Sequence, residues 1–381
     1  MMTKAAVDLK TYLRNASGVH NYVEGLVPPM LRLAPDVEWT FFASCDHSER
    51  LRSAPFGRAA NVRYVSRPGS YRADRLSFFL LGGRRVERDI GTQDVYFSPS
   101  TPGFATRGAY VVTVHDLAWK ICKGFYSRRS VWTRWLGLRR DLARARVIVS
   151  VSEATKKDLV ELAGTDPARV RVVYSGIPES FRVARDPEAV ARTLLRLGIP
   201  KPYVVMPAGD HARRKNLERL ARAMARVRRD APDVSLVVLG KPRFDVSAFE
   251  RAVEEEKLAS AVLRPGFLSE SDLMDVVAGA RVMAFPSLYE GFGFPILEGM
   301  ALGTPVVTSN VSSMPEVSGD AALLVDPTSV DDIAAAVLRL VADDRLHETL
   351  RTRGFERSRR FTWERSATQT LEVFRAAAAG T

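Results

Sequence analysis

Ser287-Leu288-Tyr289-Glu290-Gly291-Phe292-Gly293-Phe294-Pro295-Ile296-Leu297-Glu298-Gly299-Met300-Ala301-Leu302-Gly303-Thr304-Pro305 decides how the rest of the chain is read. The residues before it, Arg281 to Pro286 (RVMAFP), are short, apolar and strand-like. Glu290 then enters a turn, Gly291-Phe292-Gly293, in which two residues without Cβ let backbone approach a ligand closely. Pro295 suits the first turn of a helix, where its missing N–H would be unpaired in any case. Ile296, Leu297 and Met300 supply an apolar stripe, and Gly303 followed by Pro305 stops the helix. Strand, glycine turn and helix N-terminus in that order make a receiver for an anion. One carboxylate, Glu290, precedes the turn, and another, Glu298, stands one turn inside the helix. A nucleotide sugar asks for this combination: its diphosphate wants N–H groups, and its sugar hydroxyls want fixed acceptors. Two glutamates at this spacing arise often by chance, so the weight rests on Gly-Phe-Gly-Phe-Pro between them.

Length and composition set the frame. At 381 residues the chain is too long for one typical core, so two domains are expected. With 46% apolar and 26% charged residues it reads as an ordinary globular protein. It has no apolar run approaching the roughly 18 residues of a membrane helix. The opening Met1-Met2-Thr3-Lys4 leads quickly to Asp8 and Lys10, which does not resemble a signal peptide. Two cysteines, Cys45 and Cys122, make no disulfide framework and point to a reducing cytoplasm. No Cys/His cluster has metal-ligand spacing. The net charge of +12 is uneven: residues 1–180 hold 28 Lys and Arg against 17 acids, and residues 181–381 hold 28 against 27. Such a basic half suits nucleic acid, an anionic bilayer or a phosphorylated substrate, or is a solvated arginine-rich surface.

Taken in order, Ala5–Leu9 reads as a strand, Arg14 to Gly18 as a loop, and Ser17 as the cap of the helix that follows. That helix buries Val19, Tyr22, Val23, Leu26 and Val27, and Pro28-Pro29 should break or kink it. Val37–Ala43 and Asn61–Val65 are strands, and Leu76–Val86 is a helix candidate. Asp94–Phe97 and Tyr110–Val114 are strands, the second delivering His115 and Asp116 to its carboxyl end, where open parallel sheets bind ligands. From Arg128 to Arg146 runs a basic helix with Trp132, Trp135, Leu138 and Leu142 on one face and Arg129, Arg140 and Arg144 on another. It is either a core helix with a solvated back or a helix that meets anionic lipid. Val147–Val151 and Arg171–Tyr174 complete the strands of the first half, with Ser152 capping the helix between them.

A second alternating series starts at Tyr203–Pro207 and passes through Gly209-Asp210-His211-Ala212-Arg213-Arg214-Lys215-Asn216. A glycine at a strand tip followed by cations and a helix start describes a phosphate site or a plain basic loop. Asn216 is expected to cap the helix bearing Leu217, Leu220, Met224 and Val227, Ser247 and Glu250 to form a capping box, and Thr328 to cap a later helix. Further strands are read at Val234–Leu239, Ala261–Leu263, Val306–Ser309 and Ala322–Val325, and a helix at Glu270–Gly279. The last helices, Asp344–Arg360 and Thr362–Ala378, should pack outside the sheets. Strand–helix alternation in both halves implies α/β folding with parallel, doubly wound sheets.

Several blocks together resemble one family over nearly the whole chain: Gly18 to Tyr22, Thr113 to Leu117, Val151 to Thr155, Arg214 to Leu217, Phe285 to Pro305, and Val311 to Val317. The Glu-x7-Glu stretch and the order of the blocks are similar to retaining family 4 glycosyltransferases of the bacterial mannosyltransferase type. That resemblance implies the GT-B fold, two Rossmann-like domains facing a central cleft, with the C-terminal helix packing back on the first. The expected domains are 1–178 (acceptor side, joined by 362–381) and 179–361 (nucleotide-sugar side). It also implies a retaining, metal-independent hexosyl transfer with no cofactor beyond the donor, GDP-mannose foremost. The acceptor is a glycan or lipid-linked sugar, and the enzyme is cytoplasmic with peripheral contact to the inner face of the plasma membrane.

Residue by residue, the resemblance makes Arg214 and Lys215 the cations that neutralise the diphosphate. Glu298 accepts from ribose hydroxyls, and Glu290 contacts the transferred hexose. Phe292, Gly293 and Phe294 offer backbone N–H groups to sugar and phosphate. Gly209 lies at the phosphate loop, His115 by the donor sugar, and Gly18 lets the first loop close over the phosphates. Asp210 and His211 stand where related enzymes often have small or neutral residues, and Ser175 where they often have Asn. Other donors (dTDP-rhamnose, a UDP-N-acetylhexosamine) or sugar-nucleotide epimerisation are the alternatives within catalysis. A basic nucleic-acid binder would explain the charge but lacks interleaved aromatic and basic residues.

Overall fold

A computed structural model describes residues 2–13, 18–44, 56, 60–67 and 85–380. Residues 14–17 of the first loop with the Ser17 cap, Cys45, and residues 76–84 of the helix candidate lie outside them, and Gly18 already begins the helix. The chain divides into two compact units. The first comprises Met1–Ile121, Tyr126–Gly176 and Phe361–Thr381, and the second Cys122–Phe125 and Ile177–Arg360.

In the first unit, strands β1 (Lys4–Asp8), β2 (Glu38–Ser44), β3 (Val62–Arg67), β4 (Val95–Ser98), β5 (Ala109–Val114), β6 (Val147–Ser150) and β7 (Val170–Val172) form one sheet. Its order is β3-β2-β1-β4-β5-β6-β7, and all its pairings are parallel. β1, β4, β5 and β6 are almost wholly buried apolar runs, as strands covered on both faces must be. The Gly18–Leu33 helix buries Tyr22, Val23, Leu26 and Val27 as its periodicity requires, but it does not break at Pro28-Pro29. Burial of Pro29 itself and of Met30 after it holds the last turn in place, so tertiary packing overrides the missing N–H groups.

The Trp363–Ala379 helix packs on the Gly18–Leu33 helix of this unit, as expected of the C-terminal helix. A Cβ at Gly25 would sit 2.0 Å from the Trp363 ring, so only glycine allows the two helices this close. Ser366 Oγ donates to Tyr174 O at 2.6 Å, and Arg146 Nη1 donates to Ala377 O at 2.6 Å.

One further expectation needs correction here, and one left open is narrowed. Arg85 bridges Ala105 and the next helix begins only at Glu87, so the described end of the 76–86 candidate is not helical. In the basic helix, Arg128–Arg144, Leu138 and Leu142 are buried, but Trp132 is 64% exposed. Asp141 takes the inward position instead, because Gly103 N at 2.9 Å and Tyr110 Oη at 3.1 Å donate to its carboxylate. Burial pushes that carboxyl up to about 7, against the Gly103 hydrogen bond and nearby cations.

In the second unit, β8 (Tyr203–Gly209), β9 (Ser235–Gly240), β10 (Val262–Leu263), β11 (Val282–Phe285), β12 (Val306–Ser309) and β13 (Ala322–Val325) form a parallel sheet of order β10-β9-β8-β11-β12-β13. The order runs outward in opposite senses from the β8–β11 pair. That pair is the topological switch point, and loops leaving its carboxyl ends border the crevice where such sheets bind ligands.

Three helix starts differ from expectation. Asn216 is left-handed with no capping hydrogen bond. The Ser247–Glu255 helix starts at Ser247 itself, whose N–H donates to Asp245 Oδ1 at 2.9 Å, and Glu250 pairs with Arg264 instead. Ser329, one residue after Thr328, caps the Val330–Ala342 helix, because Thr328 is already bonded to Asp326. Each is a competition between neighbouring polar residues that sequence does not resolve.

Candidate active site

The loops after β8 and β11 meet at the switch point. Gly209 ends β8 at φ +58°, a conformation that favours glycine, and the Arg213–Lys215 turn follows. Leu288 N donates to Arg214 O at 2.8 Å, joining the two loops through backbone. Asn216 fastens them further: its Nδ2 donates to Pro286 O at 2.9 Å and to Pro327 O at 2.7 Å. A left-handed Asn with both amide hydrogens engaged is a three-loop tie rather than a cap.

Glu290 is buried where these loops converge. Lys215 Nζ lies 2.7 Å from its Oε1, and Arg214 pairs with its Oε2 while donating to Tyr289 O at 3.2 Å. The Lys215 ammonium also sits 4.5 Å from the centre of the Phe285 ring. Burial alone would raise the Glu290 carboxyl, but Arg214 and Lys215 together outweigh it and hold it down at about 2. Glu290 is therefore ionised throughout the physiological range, while burial lowers the Lys215 ammonium from its usual value against the pull of the Glu290 charge beside it.

Gly293 lies at φ +103° and opens the Phe294–Ala301 helix with Pro295 in its first turn. Ile296, Leu297 and Met300 are buried beneath it. Glu298 is half-buried on this helix, and its carboxylate has no hydrogen bond or ion pair among the described residues. Burial pushes it up to about 7, which the Lys215 charge only partly offsets. It is a desolvated acceptor without a partner.

Residues 16–181 match the model of Glycosyltransferase Family 4, and residues 196–357 match that of glycosyl transferases group 1. Alpha-maltose-1-phosphate synthase of Mycolicibacterium smegmatis is 32% identical over 70% of this chain and 72% of its own. The chain belongs to glycosyltransferase family 4. O-antigen chain mannosyltransferase B of Escherichia coli is 29% identical over 70% of each chain. The MMP alpha-(1->4)-mannosyltransferase of Mycolicibacterium hassiacum is 28% identical over 79% of this chain and 73% of its own. Among solved structures, HepE of Anabaena in complex with UDP and glucose superposes with a TM-score of 0.75 at 17% identity, covering 99% of this chain and 100% of that one. Sucrose-phosphate synthase of Thermosynechococcus elongatus gives 0.74 at 21% identity, with 100% of both chains covered. The glycosyltransferase thus has the two-domain GT-B fold.

In this glycosyltransferase Gly209, Arg214, Lys215, Glu290, Phe292, Gly293, Phe294 and Glu298 all belong to the second unit, on the loops and helix that follow β8 and β11. Gly18 and His115 belong to the first. His115 Nε2 donates to Pro99 O at 2.7 Å, since a carbonyl can only accept, and its ring lies edge-on to Tyr22 at 4.8 Å. Burial holds it below the usual imidazole value, so it is neutral near pH 7 with Nδ1 left as an acceptor. His211 turns inward, left-handed and buried, behind the cation loop. Sequence reasoning missed the tie made by Asn216 and the hydroxyls of Thr308, Ser309, Ser312 and Ser313, described below. The signal available for the latter was the concentration of small hydroxyl residues at the end of a strand and just beyond it, Thr308-Ser309 and Ser312-Ser313. Among the described residues no three His, Cys, Asp or Glu side chains converge as a metal site would need, and no helix is long and apolar enough to cross a membrane.

Proposed function

We propose that this enzyme transfers a hexose, mannose from GDP-mannose foremost, with retention of configuration and without a metal ion. The acceptor is a glycan or lipid-linked sugar in surface polysaccharide or glycolipid synthesis. The observation that carries the reading is the buried Arg214–Glu290–Lys215 trio at the sheet's switch point, beside the Gly293 helix start. Two cations against one carboxylate leave a positive charge where a diphosphate leaving group gains negative charge, in a site where burial strengthens the attraction. The mannosyltransferases among its relatives support the choice of sugar.

In the proposed step the bond from the anomeric carbon to the donor phosphate oxygen breaks, and the acceptor hydroxyl oxygen bonds to that carbon on the same face. The acceptor's proton passes to an oxygen of the departing diphosphate. Arg214 and Lys215 stabilise the leaving group, and Glu290 opposes the positive charge that develops on the hexose. Glu298 receives the ribose hydroxyls.

The enzyme works in the cytoplasm against an anionic membrane face, through the Arg128–Arg144 helix. That helix carries six arginines and one acid, Asp141, which is turned inward. Its exposed Trp132 stands among exposed Arg128, Arg129 and Arg139, the pairing of aromatic and cation that suits a bilayer interface.

The test is thermal-shift and turnover screening against GDP-mannose, dTDP-rhamnose, UDP-N-acetylhexosamines and UDP-glucose, because a donor that binds only the folded state raises the melting temperature. Stabilisation by GDP-mannose with α-linked product formation supports the reading. Stabilisation by another donor alone changes the sugar, and stabilisation by none overturns the reading.

A further inference from the structure

The carbonyls of the donor loop are held from one side by a ladder of hydroxyls. Thr308 Oγ1 donates to Phe285 O at 3.0 Å, and Ser309 Oγ donates to Ser287 O at 2.6 Å. Beyond β12, Ser312 Oγ donates to Glu290 O, and Ser313 Oγ lies 2.9 Å from Glu290 O and 2.8 Å from Phe292 O. One hydroxyl has one proton, so Ser312 serving Glu290 O frees Ser313 to serve Phe292 O. Ser313 is fully buried, and Ser312 reaches its carbonyl from a left-handed backbone at φ +56°.

The peptides from Glu290 to Gly291 and from Phe292 to Gly293 are trans, the cis bonds among the described residues being those before Pro102 and Pro202. In a trans peptide the N–H points opposite to the C=O. With both carbonyls turned to Ser312 and Ser313, the N–H groups of Gly291 and Gly293 point the other way. The Gly293 N–H does so at the start of the Phe294–Ala301 helix, where the dipole adds to its pull on an anion.

We propose that Ser313, seconded by Ser312, is a positioning residue for glycosyl transfer. Its hydroxyl sets the polarity of the Glu290–Gly293 main chain, presenting the Gly293 N–H to the distal phosphate of the donor and keeping Glu290 between Arg214 and Lys215. This rests on the donor reading above. Loss of the hydroxyl frees the Phe292–Gly293 peptide to rotate and removes a donor from the distal phosphate, while the base, the ribose and the first phosphate keep theirs.

The experiment compares wild type with Ser313→Ala, Ser313→Thr and Ser312→Ala, using calorimetry with GDP and GMP, and with UDP and UMP, alongside kcat and KM for transfer. Ser313→Ala should weaken the diphosphate about 10- to 100-fold, the scale of one hydrogen bond to a charged group, with the monophosphate within about twofold of wild type. Ser313→Thr, which keeps the hydroxyl, should restore most of that loss, and kcat should fall more than KM changes in Ser313→Ala. A merely structural role lowers the active fraction and cuts both nucleotides alike. If Ser313→Ala does not fold, Ser312→Ala carries the test through the same diphosphate-selective loss, about 3- to 10-fold. Equal losses for mono- and diphosphate, or variants that match a wild type that binds diphosphate, overturn the proposal. A wild type that binds neither GDP nor UDP overturns the donor reading instead.

Discussion

Replacing Glu298 by glutamine should make the protein more stable and worse at holding its donor. The Glu298 carboxyl is pushed up from 4.5 to about 7, chiefly by burial. A folded-state value above the unfolded one means the folded chain binds the proton more tightly. The resulting stability is complete below 4.5 and is lost as pH rises through about 7. At pH 8 the ionised carboxylate therefore opposes folding. The unscreened limit is roughly 3 kcal/mol, taking about 1.4 kcal/mol per tenfold change in acidity. Water reaching a half-buried group reduces this to about 1–2 kcal/mol. Glu298→Gln keeps the shape and removes the charge, so its melting temperature at pH 8 should rise by roughly 3–6 °C. At pH 5 most of the gain should vanish, because the folded wild type is then protonated. The same change should weaken nucleotide binding at pH 8 by about tenfold or more, the worth of a charge-assisted hydrogen bond to ribose. In the wild type, nucleotide affinity should fall as pH drops through about 7. Thermal melts and nucleotide calorimetry at the two pH values decide the matter. A variant that melts lower than wild type at pH 8, or gains as much at pH 5, would refute the reasoning.

Glu290→Gln should do the opposite, destabilising the fold by about 3–5 kcal/mol because it leaves two cations without their buried counter-charge. It should also lower kcat far more than nucleotide affinity, and a stable variant in melts would count against the trio. With Glu290 held at about 2, its contribution to stability should be intact above 4.5 and lost as pH falls towards 2, read as acid unfolding that the variant lacks. Arg214→Ala and Lys215→Ala should each reduce turnover by about 10²–10³, with wild-type activity unchanged in chelator; loss in chelator restored by magnesium would contradict the metal-free step. Asn216→Gly keeps the left-handed backbone but leaves Pro286 O and Pro327 O without their donor, so a loss of about 2–4 kcal/mol is expected in denaturant melts. Binding to vesicles should need anionic lipid, weaken with Trp132→Ala, and fall as salt shortens the screening length to about 10 Å at 0.1 M. Equal binding to neutral vesicles would remove the lipid contact.

Much of the second unit's site could be read from residues alone. The strand before Ser287, the glycine turn, Pro295 in the first helical turn and the buried stripe of Ile296, Leu297 and Met300 are local matters, set by Cβ-free residues, a fixed φ and a 3.6-residue period. The family blocks added Arg214 and Lys215 as cations of the same candidate site, but not their ion pairs with Glu290, some 75 positions along the chain.

Local chemistry could also mislead. Asn216 has the side chain of a cap and the position of one, yet its amide hydrogens go to two carbonyls distant in sequence. Trp132 falls on the apolar period of its helix, yet Asp141 takes the inward place, because Gly103 and Tyr110 supply hydrogen bonds that no spacing announces. Pro28 and Pro29 should end a helix, but packing on both sides carries it past them.

The sequence by itself determined the elements, their alternation and the residue types at the switch point, because these follow from short-range sterics and periodicity. Only the tertiary structure decided the electrostatics. Glu290 and Glu298 are the same side chain eight residues apart, and nothing in their neighbours along the chain sets their opposite ionisation. Two cations delivered from the end of β8 hold one down at about 2, while burial with little compensation lifts the other to about 7. The field at a carboxylate depends on what the fold brings near it and how far it excludes water, and both are properties of three-dimensional packing.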